Sequence, residues 1–158
     1  MIKETILPLA LLWPSISLCQ NLPDSMDQRK CLALNIYHES RGEITEDSYE
    51  NWLVVAVVTR NRVDSKHYPD SWCSVVWQNY QFAWTRDDKP DNPNYNDPIE
   101  ARVWADINMF VSGFMANHRY IKDPTEGALY FHSGHPSNTW WSSHYELVGK
   151  FGGHYVYK

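Results

Sequence analysis

Basic residues are in short supply in this chain: 14 Lys and Arg stand against 19 Asp and Glu, a net charge of −5. There is no basic run and no aromatic motif of the RNA-binding kind, so nucleic acid is not an expected partner, because phosphate-backbone affinity comes from clustered cations. Cysteine is scarce as well, and none of the three forms a C-x-x-C pair, which removes support for a zinc ribbon or a thioredoxin-type centre. No apolar run reaches the roughly 20 residues that a bilayer span requires. Internal repeats and low-complexity tracts are absent. What remains is 158 residues, enough for one domain with a real core.

Aromatic residues, by contrast, are plentiful at 15 %, with eight Trp and ten Tyr. Most of them belong in a core, where they supply large buried area. An acidic chain with a surplus of such rings also suits a ligand held by stacking and hydrogen bonds rather than by net charge. Sugars, with flat C–H faces and many hydroxyls, fit that description.

The N-terminal run TILPLALLWPSISLC is apolar over fifteen residues and interrupted by Pro8 and Pro14. It reads as the h-region of an export leader over residues 1–19, with Ser17 and Cys19 ahead of a cut near Gln20. The alternative is a buried N-terminal segment. Leu18 occupies a position where a lipoprotein signal carries a small residue, which speaks against an anchor on Cys19. Export would place the domain, residues 25–158, in the periplasm or cell wall as a monomer with no stable membrane span. Two cysteines then remain, Cys31 and Cys73. In an exported domain they suggest a disulfide; in a cytosolic one they would be buried thiols.

Along the chain, Ser25 and Gln28 have capping-box spacing and open a helix running to about Arg41, before Gly42. Leu32, Asn35, Ile36 and Glu39 share one face of it. A second helix starts near Thr45 and carries WLVVAVVTRNRV, Trp52 to Val63, apolar nearly all round as for a central helix. A short third helix covers Ser71 to Gln78. The polar stretch from Gln81 to Pro98 is a long loop of the kind that is usually functional or mobile. Asp97, Pro98 and Glu100 open another helix, with an apolar stripe of Val103, Ile107, Phe110 and Phe114. Beyond Pro124, Ala128 to His132 and His154 to Lys158 alternate like strands. Helices followed by a small antiparallel sheet make an α+β fold with a mainly helical core.

Glu39 is the chemically unusual residue. It ends an inward-facing stripe, where desolvation disfavours the charged form, and sits at a helix C-terminus, where the macrodipole disfavours an anion. Glu43, if the helix persists, adds like-charge repulsion. All three effects raise the pKa, as a general acid for glycosidic cleavage requires. The competing reading is a buried ion pair with Arg41 or Arg60.

The blocks CLALNIYHESRGE, VVAVVTRNRV, PDSWCSVVWQNYQFAWT and DPTEGALYFH, with the closing GGHYVYK, resemble the cell wall hydrolase family of the spore cortex-lytic enzymes (SleB-like). The resemblance covers most of Cys31 to His132. It implies a lysozyme-like peptidoglycan lytic enzyme acting between N-acetylmuramic acid and N-acetylglucosamine, with peptidoglycan glycan strands as partner, no cofactor, and Glu39 as the catalytic acid. His38 and Ser40 depart from the smaller residues common in that block.

With two carboxylates about 5–5.5 Å apart such an enzyme would retain configuration, and at about 6.5–9.5 Å it would invert; Glu43 is the candidate partner, or a solvated acid at a helix end. With Glu39 alone, the sugar's own 6-hydroxyl can close a 1,6-anhydro ring, the lytic transglycosylase outcome and the preferred expectation. Gln81, Phe82 and Trp84 are placed beside the acid by the resemblance: Gln81 to bind an acetamido group and Trp84 to stack on a sugar, or else all three to anchor the loop. Tyr130 and His132 point to one side of a strand, and Tyr130 could orient Glu39. Trp140 and Trp141 form an aromatic pair, one for glycan and one for core. No metal is expected: His132 and His135 lack a carboxylate or thiolate at ligand spacing, and HES is not HExxH. The rivals are a water-using muramidase, a non-catalytic glycan-binding module, and a metal-dependent amidase or peptidase.

Overall fold

The computed structural model describes residues 27–40, 48–134 and 140–158. The leader, Ser25, Arg41, Gly42, Glu43 and His135 lie outside the described residues.

Helix α1 spans Gln28–Ser40. Its first turn is capped by Asp27, whose Oδ1 accepts the Arg29 N–H at 3.0 Å, one of the donors a helix start leaves unpaired. The Gln28 side chain, expected to fold back in a capping box, instead accepts the Cys73 N–H at 3.0 Å. Every residue from Cys31 to Tyr37 is buried, so α1 is a central helix and not one with a single inward stripe. The reason is its neighbours: it packs against α2 (Ser48–Asp64), α3 (Trp72–Val76) and α4 (Pro98–Asn117) together.

The valine run of α2 is buried on two sides. Val55 and Val57 join Leu32, Ile36, Ile107 and Phe114 in the largest core cluster. Val54 and Val58 pack with Ala128 and Val156 beneath the sheet. β-branched residues are indifferent helix formers, so burial rather than propensity holds this helix. Helix α3 is capped by Ser71, whose side chain accepts the Ser74 N–H. It stops short of the expected Gln78, with Trp77 as its C-cap. Cys31 and Cys73 are disulfide-bonded, with Cα atoms 5.1 Å apart, and so join α1 to α3.

Asp97 caps α4 through bonds from the Ile99 and Glu100 N–H groups, with Pro98 in the first turn. Its buried stripe is Val103, Ile107, Val111 and Phe114. Phe110, expected in that stripe, is half-buried and packs against Tyr49 and Trp52. Phe110 and Val111 flank the line through Ile107 and Phe114 on opposite sides, and the Val111 side is the one that faces the core.

Three strands close the domain in the order β1-β3-β2, both pairs antiparallel. They are β1 (Tyr130–Ser133), β2 (Leu147–Phe151) and β3 (His154–Tyr157). β1 starts two residues later than the sequence pattern predicts. β2 escapes sequence recognition because its pairing slips between Leu147 and Gly149, which breaks the alternation that marks a strand. The tight turn to β3 has Gly152 at φ +53°. Its amides dock on α2, Gly152 N–H to Glu50 at 2.9 Å and Gly153 N–H to Asn51 at 2.8 Å. The architecture is α+β, as expected. No described helix is long and apolar enough to cross a membrane.

Candidate active site

Glu39 occupies the last turn of α1, half-buried. Burial pushes its carboxyl up to about 7 from the ordinary 4.5, against the opposing pull of the Arg62 guanidinium. Desolvation is thus the dominant effect, as the sequence suggested. Among the described residues Glu39 forms no ion pair within 4 Å, and no second carboxylate perturbs it.

Among the described residues the cation acting on Glu39 is Arg62, which the sequence did not single out; Arg41 lies outside the described residues and Arg60 does not pair with Glu39. Arg60 is committed elsewhere: its guanidinium donates to the His118 and Ile121 carbonyls at 2.7 and 2.9 Å. Two residues apart on a helix means 200° of rotation, so Arg60 and Arg62 leave α2 on opposite sides. What separates them is the contact that Thr59 makes with α1. The Thr59 hydroxyl accepts from Asn35 Nδ2 at 3.2 Å, which marks the α2 face turned toward α1. Arg62 is three residues beyond Thr59, and Glu39 is four beyond Asn35, so each shares a helix face with a member of that bond.

Arg62 is 5 % exposed. Its Nε donates to the Leu129 carbonyl at 2.8 Å, and its guanidinium carbon lies 5.4, 5.1 and 6.0 Å from the ring centres of Tyr68, Phe82 and Phe131. Burial pulls its pKa down, while Tyr68, Glu39 and Tyr130 act on it in the other direction.

The loop residues pointed out by the resemblance are positioned by the core. Phe82 is 4 % and Trp84 7 % exposed, the latter in a 3-10 turn over Ala83–Arg86. The Trp84 N–H donates to Asn35 Oδ1 at 3.2 Å, its face is stacked on His38, and its edge meets Trp77. With one face on His38 and 7 % of its surface exposed, Trp84 anchors the loop. Gln81 is half-buried just ahead of this turn. His38 donates through Nε2 to the Asp91 carbonyl at 2.8 Å, and Glu100 accepts from Tyr37 Oη at 2.7 Å and Asn94 N–H at 2.8 Å. The polar loop is therefore tied to α1 and α4 rather than hanging free.

On the sheet, Tyr130 and His132 pair with Tyr157 and Tyr155 respectively and so share one face. Trp141 packs against Tyr130, His132, Tyr145 and Tyr157, and Tyr130 lies 4.1 Å from Tyr145. His132 Nδ1 donates to the Ser133 carbonyl at 3.1 Å, which leaves Nε2 to accept from Tyr157 Oη at 3.1 Å. Both nitrogens are used within the sheet. Trp140 is 83 % exposed, while Trp141 is half-buried. Among the described residues no group of three or more His, Cys, Asp or Glu could hold a metal ion.

Glu39, Arg62, Tyr68, Phe82 and Tyr130 are thus brought together from α1, the end of α2 and its following turn, the loop and β1. A model of the family described as Cell Wall Hydrolase matches residues 46–157; Arg62, Phe82 and Tyr130 fall inside that segment, and Glu39 precedes it. The structure is similar to the catalytic domain of the Bacillus cereus SleB protein, 25 % identical with a TM-score of 0.55, over 88 % of this chain and 97 % of that one. It also shares its fold with the catalytic domain of a germination-specific lytic transglycosylase, SleB from Bacillus anthracis, 23 % identical with a TM-score of 0.53, over 87 % and 100 % of the two chains. No curated protein sequence matches. With the family match running through most of the domain and ending in β3, the chain belongs to the cell wall hydrolase family.

Proposed function

We propose that this protein cleaves the glycan strands of peptidoglycan between N-acetylmuramic acid and N-acetylglucosamine, as a lytic transglycosylase with Glu39 as its single acid and base. The observation that carries the reading is the Glu39 carboxyl, raised to about 7 by burial at the end of a helix in a cell wall hydrolase. A neutral carboxylic acid at working pH can give its proton to the bridging oxygen as the C1–O bond breaks. Positive charge develops on the muramic acid ring, and Glu39 is left as a carboxylate. That carboxylate takes the proton of the 6-hydroxyl while the oxygen closes on C1, so the acid is regenerated and no water is consumed. This route asks for one carboxylate where a water-activating route asks for two, and the likeness to a domain named as a lytic transglycosylase supports it.

Gln81, the exposed Trp140 and the half-buried Tyr130 and His132 are the proposed glycan contacts, with Phe82 and Trp84 supporting them; Glu43, outside the described residues, remains a proposed substrate contact. The reading places the protein outside the cytoplasmic membrane, where its substrate is and where the Cys31–Cys73 disulfide is stable.

Purified sacculi digested with the enzyme, followed by mass analysis of the released muropeptides, test the proposal. Ends one water lighter than a reducing sugar are expected. Reducing ends would instead identify a water-using muramidase, and undiminished lysis by Glu39→Gln would remove Glu39 from the chemistry altogether.

A further inference from the structure

We propose that Arg62 is a positioning residue for Glu39: its fixed guanidinium receives the carboxylate that forms when Glu39 gives up its proton, and releases it again when the proton returns. The inference rests on the reading of Glu39 as the acid and adds a second residue to it.

Three features of Arg62 carry it. First, the side chain is held from behind. Nε is spent on the Leu129 carbonyl, and the guanidinium is flanked by the rings of Tyr68, Phe82 and Phe131, so it cannot swing freely. Second, Nη1 is buried and has no hydrogen-bond partner. An unsatisfied buried donor on a charged group costs about 1–3 kcal/mol or more, and such an exception calls for an explanation. Third, Glu39 and Arg62 lie one turn beyond Asn35 and Thr59 on their respective helices, the two residues that join those helices by a hydrogen bond, and they are within electrostatic reach of each other but outside ion-pair distance. Nη1 has no solvent contact, so substrate does not reach it. Glu39 is the acceptor that can approach from within the fold.

The two carboxyl states then have different surroundings. The neutral acid is free of any ion pair and available to the glycosidic oxygen. The carboxylate gains a preorganised cation in a site of low dielectric, the arrangement that most effectively stabilises charge appearing during a reaction. The other groups around this pair are Tyr68 after α2 and Tyr130 on β1, the latter hydrogen-bonded to Tyr145, and His38 on α1, engaged with Asp91. None of these supplies a second fixed cation.

The test is the pH profile of kcat/KM on sacculi for wild type, Arg62→Met, Arg62→Lys and Glu39→Gln, with thermal melting to establish folding. Loss of the cation in Arg62→Met should lower the maximum by about tenfold to a hundredfold and shift the alkaline limb upward by about one pH unit. Arg62→Lys, which keeps the charge without the Leu129 anchor, should show a smaller shift in the same direction and carries the test if Arg62→Met does not fold. A folded variant that loses activity with its alkaline limb unmoved would make Arg62 merely structural and overturn the inference. If Glu39→Gln is also inactive in that experiment, the role of Glu39 stands; if Glu39→Gln is active, the functional reading itself has failed.

Discussion

The His38 imidazole lies flat on the Trp84 indole, ring centres 4.4 Å apart and planes 10° from parallel, one residue before the proposed catalytic acid. On the other edge of the same indole, the N–H reaches Asn35, which in turn donates to Thr59, whose hydroxyl bonds the Val55 carbonyl at 2.7 Å. A loop, the last two turns of α1 and the middle of α2 are thereby locked together by one buried polar chain. Such chains rigidify when every member is satisfied and are costly when one is removed.

Removal of that chain is the first prediction. Asn35→Ala strands the Trp84 N–H, while the Thr59 hydroxyl keeps the Val55 carbonyl, and should destabilise the fold by about 1–3 kcal/mol. Trp84→Ala empties a site between Trp77, Phe82 and His38 and should cost about 3–5 kcal/mol. Chemical denaturation of both variants checks the order; equal, small losses would mean that the loop is not anchored through this ring.

The pKa of Glu39 gives the second prediction, one for activity and one for stability. If the neutral acid is the working form, kcat/KM falls as pH rises through about 7. For stability, the native state holds the Glu39 proton between the unfolded value of 4.5 and the folded value of about 7. It therefore binds more protons than the unfolded chain across that window, and stability declines as pH rises through it. The full penalty applies above 7 and amounts to no more than about 3 kcal/mol for this half-buried group. Glu39→Gln should accordingly leave Tm nearly unchanged at pH 4.5 and raise it at pH 8. Melting curves at the two pH values decide the matter, and a Tm gain independent of pH would contradict it.

Reduction of the disulfide is the third. Cys31 and Cys73 close a loop with a sequence separation of 42, for which the chain-entropy relation gives about 4 kcal/mol. The Cys31→Ser/Cys73→Ser double variant, and wild type in reductant, should therefore melt well below the oxidised protein. Coincident curves for all three would show that the bond contributes nothing to stability.

Two glycines supply a matched fourth test. Gly152 has φ +53°, and a Cβ there would collide with the Asn51 side chain, which also holds the Gly153 N–H. Gly127, at φ +82°, has nothing within 4 Å of a built Cβ. Gly127→Ala should show only the left-handed strain, about 1–2 kcal/mol, and Gly152→Ala should cost about 2–4 kcal/mol because strain and overpacking add. Urea midpoints of the two variants measure the difference directly.

The sequence by itself was sufficient for whatever depends on neighbours along the chain. The Asp97–Pro98 helix start, the valine-rich central helix and the Gly152–Gly153 turn are local matters of capping, burial pattern and backbone freedom, and each was readable from a few residues. So was the suspicion attached to Glu39, because an acid ending an apolar helix stripe is carried toward the core when that stripe is buried. Tertiary structure alone decided which arginine faces it. Arg60 and Arg62 are chemically identical and two positions apart, and only the packing of α2 on α1 assigns one to the carbonyls of His118 and Ile121 and the other to Glu39. The fate of Trp84 was settled in the same way, since an indole in a polar loop carries no mark of whether a sugar or a histidine will cover it. Periodicity along one chain specifies directions around one helix; which partner meets a given direction is fixed only when the elements pack.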